Sequence, residues 1–360
     1  MVYIVQRLYE KLNGKMYNEK IIKILMRINQ PIGYIGSKLE LLDFIENNIS
    51  KHINIENKIF CDLFAGTNIV GRYFKDKCNI ISNDLEYYSY VLARKYLTSK
   101  SKVNNEIIDK LNSLTGIEGK VFNHYCENGK SNRLYFNEKN GKKIDAIRTE
   151  IENMKKLKQI DDDQYYVLLG SLIEATDKVA NTTSVYGAFL KKIKKSASKD
   201  LILKYQDDKI NLKNISYNED ANYLIKKISG DILYIDPPYN HRQYSSNYHI
   251  LNYICNYNDS DEPCGVTGIV KDWNRSIYSS STRTKVYDNF EELISNAKFN
   301  IIAVSYNNEG TLKYDDFCSI LSKYGTLKSY IKNKKTYKAD KSRVNKSKSV
   351  EEYLFILEKI

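Results

Sequence analysis

The stretch Asp231-Ile232-Leu233-Tyr234-Ile235-Asp236-Pro237-Pro238-Tyr239 joins an apolar run to a carboxylate, two prolines and an aromatic ring. Such a run predicts a buried parallel strand, and the residues after it predict a loop at the strand's carboxyl end. Ligands of open α/β sheets bind at that end. Each proline fixes φ near about −65° and lacks an N–H, so we expect a stiff loop whose carbonyls are left to accept from a ligand.

This loop suits a planar ring that carries an exocyclic amino group. The amino hydrogens would point at the Asp236 carboxylate and a prolyl carbonyl, while the Tyr239 ring stacks on the base. The motif Asp236-Pro237-Pro238-Tyr239 resembles the catalytic motif of amino-group DNA methyltransferases that use S-adenosylmethionine. Taken alone, the stretch also fits a strand that ends in a proline-rich turn without a catalytic role.

The loop Ile32 to Lys38 carries two glycines and a serine ahead of an amphipathic helix, with Ser37 as the expected N-cap. A glycine-rich loop at a helix N-terminus can hold an anion. The segment resembles the first cofactor motif of Dam-like adenine methyltransferases. That resemblance implies that Tyr34 and Lys38 contact S-adenosylmethionine, the lysine through the cofactor's carboxylate. A capped surface helix is the alternative.

Two strand ends carry the other predicted cofactor contacts. The segment Lys58 to Gly71 resembles the methyltransferase signature D-x-F-x-G-x-G, with Asp62 and Gly66 in place and Asn68 where the second glycine stands. Asn tolerates a left-handed φ better than most residues, so we expect the turn to survive. Asp84 ends the next strand at the spacing of a ribose-binding acid, although a helix N-cap would fit equally. By the same resemblance, Asp220 is a weaker candidate for contact with the adenine.

Basic and polar segments predict contacts with DNA. The segment Ala180 to Lys195 corresponds to the variable target-recognition region of the resembled family, and the stretch after Tyr239 to modification methylases of the FokI and NlaIII type. The hairpin connection from Lys332 to Lys348 has seven lysines and one arginine against one acid. Solvated basic surfaces are the alternative in each case. The candidate DNA-binding residues are Asn181, Tyr186, Lys191, His241, Arg242, Lys335 and Arg343.

Composition limits the class of protein. The chain has 360 residues and a formal net charge of +12, which favours a polyanionic partner. Its six cysteines form no C-x-x-C pair, so neither a zinc site nor a disulfide framework is indicated. No apolar run reaches the ~18 residues of a spanning helix. The cysteine pattern fits a reducing cytoplasm. The family resemblance implies a bacterial protein that acts on double-stranded DNA as a monomer and without a metal.

The order of these motifs resembles the alpha group of Dam-like N6-adenine-specific DNA methyltransferases. It implies an α/β, Rossmann-like class I methyltransferase sheet, mostly parallel with an antiparallel C-terminal hairpin, and a mainly helical target-recognition insertion. We predict an N-terminal extension (1–30), a cofactor half (31–103), the insertion (104–203) and a catalytic half (204–360). The implied function is methylation of adenine N6 in DNA, as the partner of a separate restriction endonuclease.

Other functions remain open from sequence alone. N4-cytosine enzymes tend to carry Ser, and protein-glutamine enzymes Asn, where this chain has Asp236, so adenine is favoured as the methyl acceptor. An RNA adenine methyltransferase and a non-catalytic DNA-binding specificity protein are the two alternatives. The second would have no reason to keep the cofactor motifs.

Overall fold

The computed structural model describes residues 30–207, 210–335 and 349–360. Its strands, in chain order, are β1 (Ile59–Asp62), β2 (Asn79–Asn83), β3 (Ile215–Tyr217), β4 (Ser229–Ile235), β5 (Lys298–Asn307), β6 (Gly325–Lys335) and β7 (Ser349–Lys359). They form one seven-stranded sheet in the order β3-β2-β1-β4-β5-β7-β6. The pairs from β3 to β5 are parallel, whereas β7 pairs antiparallel with both β5 and β6. The predicted sheet with its antiparallel C-terminal hairpin is confirmed.

The helices flank this sheet and fill the predicted insertion. They are α1 (Leu42–Ile49), α2 (Ile69–Phe74), α3 (Tyr87–Ala93), α4 (Asn105–Ser113), α5 (Lys120–Tyr125), α6 (Glu138–Lys156), α7 (Asp162–Val179), α8 (Ala221–Leu224), α9 (Tyr244–Asn247), α10 (His249–Asn256), α11 (Arg283–Asn296) and α12 (Tyr314–Leu321). Short 3-10 helices at Leu39–Leu41 and Ile277–Ser279 and a π-helix at Arg94–Thr98 complete the described elements. Among the described residues, no helix has the length and apolar character needed to cross a membrane.

Side-chain caps set where two of the helices begin. α6 begins at Glu138, because the Asn137 side chain accepts from the backbone N–H of Asn140. The Asp220 side chain caps the short helix α8 in the same way. Residues 1–29 of the predicted N-terminal extension lie outside the described residues.

The central strand β4 is buried on both faces, as its apolar run predicts. Leu233 and Ile235 pack into the cluster formed with α11 and α12, and Ile232 and Tyr234 pack into the opposite cluster formed with α1 and α2. A third cluster joins the insertion helices to α3 and α10. The insertion therefore shares an apolar core with the helices on one side of the sheet. Its predicted limits at 104 and 203 remain a prediction.

Asn68 holds the turn after β1 in the expected left-handed conformation, with φ of 60°. Its side chain is fully buried and bonded at both ends: Nδ2 donates to the Ser89 carbonyl at 2.9 Å and Oδ1 accepts from Ser82 Oγ at 2.6 Å. The expectation that the turn survives without the second glycine is confirmed. Asn68 also ties β2 and α3 to this turn, which a glycine could not do.

We predict that both Asn68→Gly and Asn68→Ala destabilise the protein, and that alanine is worse. Glycine keeps the left-handed backbone but removes the partner of two groups, the Ser89 carbonyl and the Ser82 hydroxyl. The loss of these buried hydrogen bonds should cost about 1–3 kcal/mol. Alanine adds strain at positive φ, about 1 kcal/mol more. Urea unfolding of the variants measures these free energies.

Asn57 is the matched control, because it has φ of 61° and an exposed side chain. Asn57→Gly should leave the free energy of unfolding almost unchanged, whereas Asn57→Ala should lose about 1 kcal/mol from strain alone. Equal losses for Asn68→Gly and Asn57→Gly would show that the Asn68 side-chain bonds contribute nothing.

Candidate active site

The predicted catalytic loop, Asp236 to Tyr239, begins at the carboxyl end of β4, where Asp236 follows directly after Ile235. It is called the catalytic loop below. Both oxygens of the Asp236 carboxylate have partners. Lys38 Nζ lies 2.8 Å from Oδ2, and the Tyr239 hydroxyl donates to Oδ1 at 2.6 Å. The loop Ile32 to Lys38, called the lysine loop below, is about 200 residues from the catalytic loop in the chain. The two loops therefore meet at one carboxylate.

Lys38 lies in an ion pair within the protein. Its side chain is only 5% exposed, its ammonium donates to the Gly36 carbonyl at 3.0 Å, and it lies 4.9 Å from the centre of the Tyr239 ring. The acidic group beside it belongs to Asp236. The predicted contact of Lys38 with the cofactor's carboxylate remains a prediction.

Tyr239 is held by the end of β5. Its carbonyl accepts from Thr311 N at 2.8 Å and from the Tyr306 hydroxyl at 3.2 Å, and its ring lies 4.4 Å from the Tyr306 ring. In the described part of the chain no protein donor contacts the carbonyls of Pro237 and Pro238. The loop thus offers the predicted acceptors and an aromatic face in a fixed arrangement.

Backbone N–H groups of the turn after β1 and of the helix that follows it bind the carboxylates of Asp84 and Asp62. Gly66, at φ of 53°, donates its N–H to Asp84 Oδ2 at 2.7 Å, and the Gly71 N–H donates to Asp62 Oδ2 at 3.2 Å. A Cβ on residue 66 would lie 2.7 Å from the Tyr34 hydroxyl. Glycine is therefore required both by the backbone conformation and by the close approach of the Tyr34 ring.

The lysine loop is positioned by residues that follow the catalytic loop. The Ile35 N–H donates to the Tyr248 hydroxyl at 2.8 Å, and the Tyr244 hydroxyl donates to the Ile35 carbonyl at 3.2 Å. The Tyr34 ring stacks on Tyr248 at a centroid distance of 4.9 Å. The insertion contributes too, because Asp177 at the end of α7 accepts from the Gly33 N–H at 2.8 Å.

Burial perturbs the acids of this site together. Burial raises the pKa of Asp62 to about 8; the Gly71 N–H and Lys38 oppose that rise, and the negative charges of Asp236 and Asp84 add to it. Burial likewise raises the pKa of Asp84. These carboxylates lie close enough to affect one another's ionisation, so β1, β2 and β4 bring them to one edge of the sheet. Such clustering of perturbed acids at strand ends is typical of a functional site.

The site combines acids at the ends of β1 and β2, a tight glycine turn between them, and the Asp-Pro-Pro-Tyr loop on the neighbouring strand β4. Residues 34–309 match the family model described as D12 class N6 adenine-specific DNA methyltransferase. The chain belongs to this family. It is therefore a methyltransferase, and its family implies S-adenosylmethionine as the methyl donor.

Known relatives agree over most of the chain. It is 47% identical over 337 residues to the type II methyltransferase M.NlaIII of Neisseria lactamica, covering 91% of this chain and 99% of that protein. It is 39% identical over 334 residues to the type II methyltransferase M.CviAII of Paramecium bursaria Chlorella virus 1, covering 91% and 98%. Against the type II methyltransferase M.FokI of Planomicrobium okeanokoites it is 38% identical over 349 residues, covering 91% of this chain but about half, 52%, of that longer protein.

The residues at this sheet edge fit the implied cofactor. Asp84 Oδ1 and Oδ2 accept from the backbone N–H groups of Glu86 and Gly66, which leaves lone pairs for hydroxyl donors such as those of a ribose. Asp62 supplies a second buried acceptor. Asp220 is exposed, and its Oδ1 caps α8 by accepting from Asn222 N and Tyr223 N. Its predicted contact with the adenine remains a proposal.

The predicted DNA contacts divide into buried and exposed residues. Asn181 and Tyr186 are fully buried. Their predicted contact with DNA would require these side chains to become accessible, and it remains a prediction. Asn181 bonds the carbonyls of Leu134 and Leu190, and the Tyr186 hydroxyl donates to Asp177. Lys191, His241 and Arg242 are exposed, as contact with DNA requires. Lys335 ends β6, and Arg343 lies outside the described residues.

Sequence reasoning missed several groups that shape the site. Tyr244 and Tyr248 stand four residues apart just after the catalytic loop, a spacing that indicates one helix face and could have marked them. Asp177 gave no such signal, because its contact with Gly33 spans 144 residues of sequence. Glu86 was also missed. It is buried, accepts from Asn252 Nδ2 at 2.6 Å, and has its pKa raised to about 8 by burial.

We predict that Asp62→Asn stabilises the methyltransferase at alkaline pH. Because burial raises the pKa of Asp62 to about 8, the folded protein keeps a proton that the unfolded chain has lost above about pH 4. The wild-type protein therefore loses stability from this group as pH rises from about 4 to about 8. The stability difference in favour of Asp62→Asn should grow over that range, and urea unfolding at several pH values measures it. A difference independent of pH would contradict the prediction.

Proposed function

We propose that this methyltransferase transfers a methyl group to N6 of an adenine that is rotated out of duplex DNA. The observation that carries the proposal is the meeting of Asp236, Lys38 and Tyr239, with Asp62 close enough to Asp236 to affect its ionisation. An acceptor for an exocyclic amine thus stands beside the predicted cofactor acids. Membership of an adenine-specific DNA family favours this function over an RNA methyltransferase and over a non-catalytic specificity protein.

The chain's own residues bind and orient the base. A target inside a duplex is out of reach, so the nucleotide must leave the stack at a cost of a few kcal/mol. Stacking on Tyr239 offsets part of this cost. Asp236 and the Pro237 carbonyl accept the two amino hydrogens, which turns the nitrogen lone pair out of the ring plane. When bound, S-adenosylmethionine supplies an activated methyl group on a sulfonium centre.

Asp236 has its main effect as the nitrogen becomes positive. A fixed negative charge beside a developing positive charge stabilises the transition state, because no solvent has to reorganise. The neutral amine attacks without prior deprotonation, so no general base is needed to begin. The bound geometry supplies the rest of the rate enhancement by alignment. We propose that Tyr34, Asp62, Gly66, Asp84 and Asp220 hold the cofactor opposite this loop.

We further propose that the chain is the modification enzyme of a restriction-modification system and acts as a monomer. The names of its relatives, which are type II methyltransferases, support the first part. The second follows because one chain carries both the cofactor half and the catalytic half of the site. A separate endonuclease with the same recognition sequence would be its partner.

Expression in a methylation-free bacterial host tests this function directly. Single-molecule sequencing of the host genome should show N6-methyladenine at every copy of one short sequence, which identifies the acceptor and the recognition site together. Unmodified DNA with modified RNA would contradict the proposal. So would methylation of cytosine N4.

We predict that Asp236→Asn lowers kcat by about 100-fold or more, because the amide keeps the shape but removes the charge that stabilises the transition state. Binding of duplex DNA, measured by fluorescence anisotropy, should change little. Asp231→Asn is the matched control, since Asp231 stands at the opposite end of the same strand, where it pairs with Lys58. If Asp236→Asn kept wild-type kcat, Asp236 would have no central role.

We predict that Arg242→Ala weakens DNA binding and flattens its salt dependence. Arg242 is exposed three residues after Tyr239, so it is placed to neutralise a phosphate near the flipped base. Loss of one such contact lowers the slope of log affinity against log salt by about 0.9. Lys298→Ala is the control, because Lys298 is exposed at the opposite edge of the sheet, where β5 begins. Equal slopes for both variants would remove Arg242 from the interface.

A further inference from the structure

Lys38 is a buried cation at the centre of the site. Its side chain is 5% exposed and that of its partner Asp236 is 16% exposed. Burial of an ammonium group is unfavourable unless it is paired and hydrogen-bonded. Lys38 meets both conditions through Asp236 Oδ2 at 2.8 Å and the Gly36 carbonyl at 3.0 Å. Such a pair is weak support for stability, so a functional reason for its burial has to be sought.

The backbone leaves Lys38 little freedom to move away from Asp236. The Leu41 N–H donates to the Lys38 carbonyl at 2.8 Å, where the 3-10 helix begins. On the other side, Ile35 is held through its N–H and its carbonyl by the hydroxyls of Tyr248 and Tyr244. The backbone on both sides of Lys38 is therefore held in place, in part by the segment that follows the catalytic loop.

An adjacent positive charge favours the ionised form of Asp236. Burial raises the pKa of Asp236, and Lys38 and the Tyr239 hydroxyl counteract that rise. The other ionisable groups around it are Asp62, Tyr234 and Tyr244, and none of them brings a positive charge. A protonated Asp236 would lose one acceptor oxygen and the charge that faces the reacting nitrogen.

We propose that Lys38 is a positioning residue for methyl transfer, which keeps Asp236 ionised and oriented toward the amine of the target base. This inference rests on the proposed function of Asp236. A carboxylate has about four lone-pair sites. Lys38 and the Tyr239 hydroxyl use one on each oxygen, which leaves sites for the amino hydrogen.

The reaction balances without a proton from Lys38. The nitrogen lone pair forms the bond to the methyl carbon, and the electrons of the broken carbon–sulfur bond stay on sulfur. The nitrogen then carries a positive charge and releases one proton to Asp236 or to water. Lys38 takes no part in these bond changes, so its contribution acts through Asp236 alone.

This role differs measurably from a role in holding the cofactor. If Lys38 held the cofactor's carboxylate, its loss would weaken cofactor binding and leave the pH dependence of kcat unchanged. If it keeps Asp236 ionised, its loss should lower kcat at neutral pH and shift the acidic limb of the kcat profile upward. Cofactor affinity should then change little.

The experiment compares Lys38→Met and Lys38→Arg with the wild-type protein. An opposite charge at this distance shifts a carboxyl pKa by about 1–3 units, so the acidic limb of kcat for Lys38→Met should move to higher pH by about that amount. At a pH on that limb, kcat should fall by about 10-fold or more, and raising the pH should restore much of it. Lys38→Arg should keep the wild-type limb, because it restores the charge.

Isothermal titration with S-adenosylmethionine supplies the second readout. Unchanged cofactor affinity with a shifted kcat limb supports the proposal, whereas reduced affinity with an unshifted limb overturns it. A lack of activity in the wild-type protein on duplex DNA would instead count against the proposed function itself. The two failures are therefore distinguishable.

A measurement of stability covers the possibility that Lys38→Met folds poorly. Without Lys38 the folded protein buries an uncompensated carboxylate, so the variant should lose more stability against wild type as pH rises, when Asp236 ionises. Adding Asp236→Asn to Lys38→Met should remove that pH dependence. A loss of stability that is the same at every pH, with or without Asp236→Asn, would overturn the ion-pair role.

Discussion

The parallel pairing of β1 with β4 is the constraint on which the site depends. It aligns Phe60 with Ile232, Cys61 with Leu233 and Asp62 with Tyr234. The pairing thus brings the end of β1 beside the end of β4, about 170 residues later in the chain. From β1 the chain continues to β2 on one side, while β4 and β5 lie on the other. Ligands of open α/β sheets bind at such a reversal point. Here it brings Asp62, at the end of β1, close enough to Asp236 to affect its ionisation.

The acids at this sheet edge share one electrostatic feature. Asp62, Asp84, Glu86 and Asp236 all have raised pKa values because burial disfavours their ionised forms. Among the described ion pairs of these acids, only that of Asp236 brings an ammonium into direct contact. This contact distinguishes Asp236 from the other three acids and agrees with its proposed role in the chemical step.

The insertion orders the site as well as extending it. Asp177 accepts from both Gly33 in the lysine loop and the Tyr186 hydroxyl, and the Tyr186 N–H donates to the Asn247 carbonyl in α9. Asp177 and Tyr186 therefore connect the insertion to the loop Ile32 to Lys38 and to the segment after the Asp-Pro-Pro-Tyr motif. Lys191, in the same part of the insertion, is exposed.

The sequence by itself determined the strands, the acids at their ends, the left-handed turn at Asn68 and the proline loop, because each depends on neighbouring residues and on hydrophobic periodicity. It also indicated the family, since the order of the motifs survives in the linear chain. Only the tertiary structure decided that Lys38 pairs with Asp236 and that Asn181 and Tyr186 are buried. Those outcomes depend on contacts between distant segments, and a polar side chain in a loop has the same local signature whether it faces solvent or bonds a buried partner.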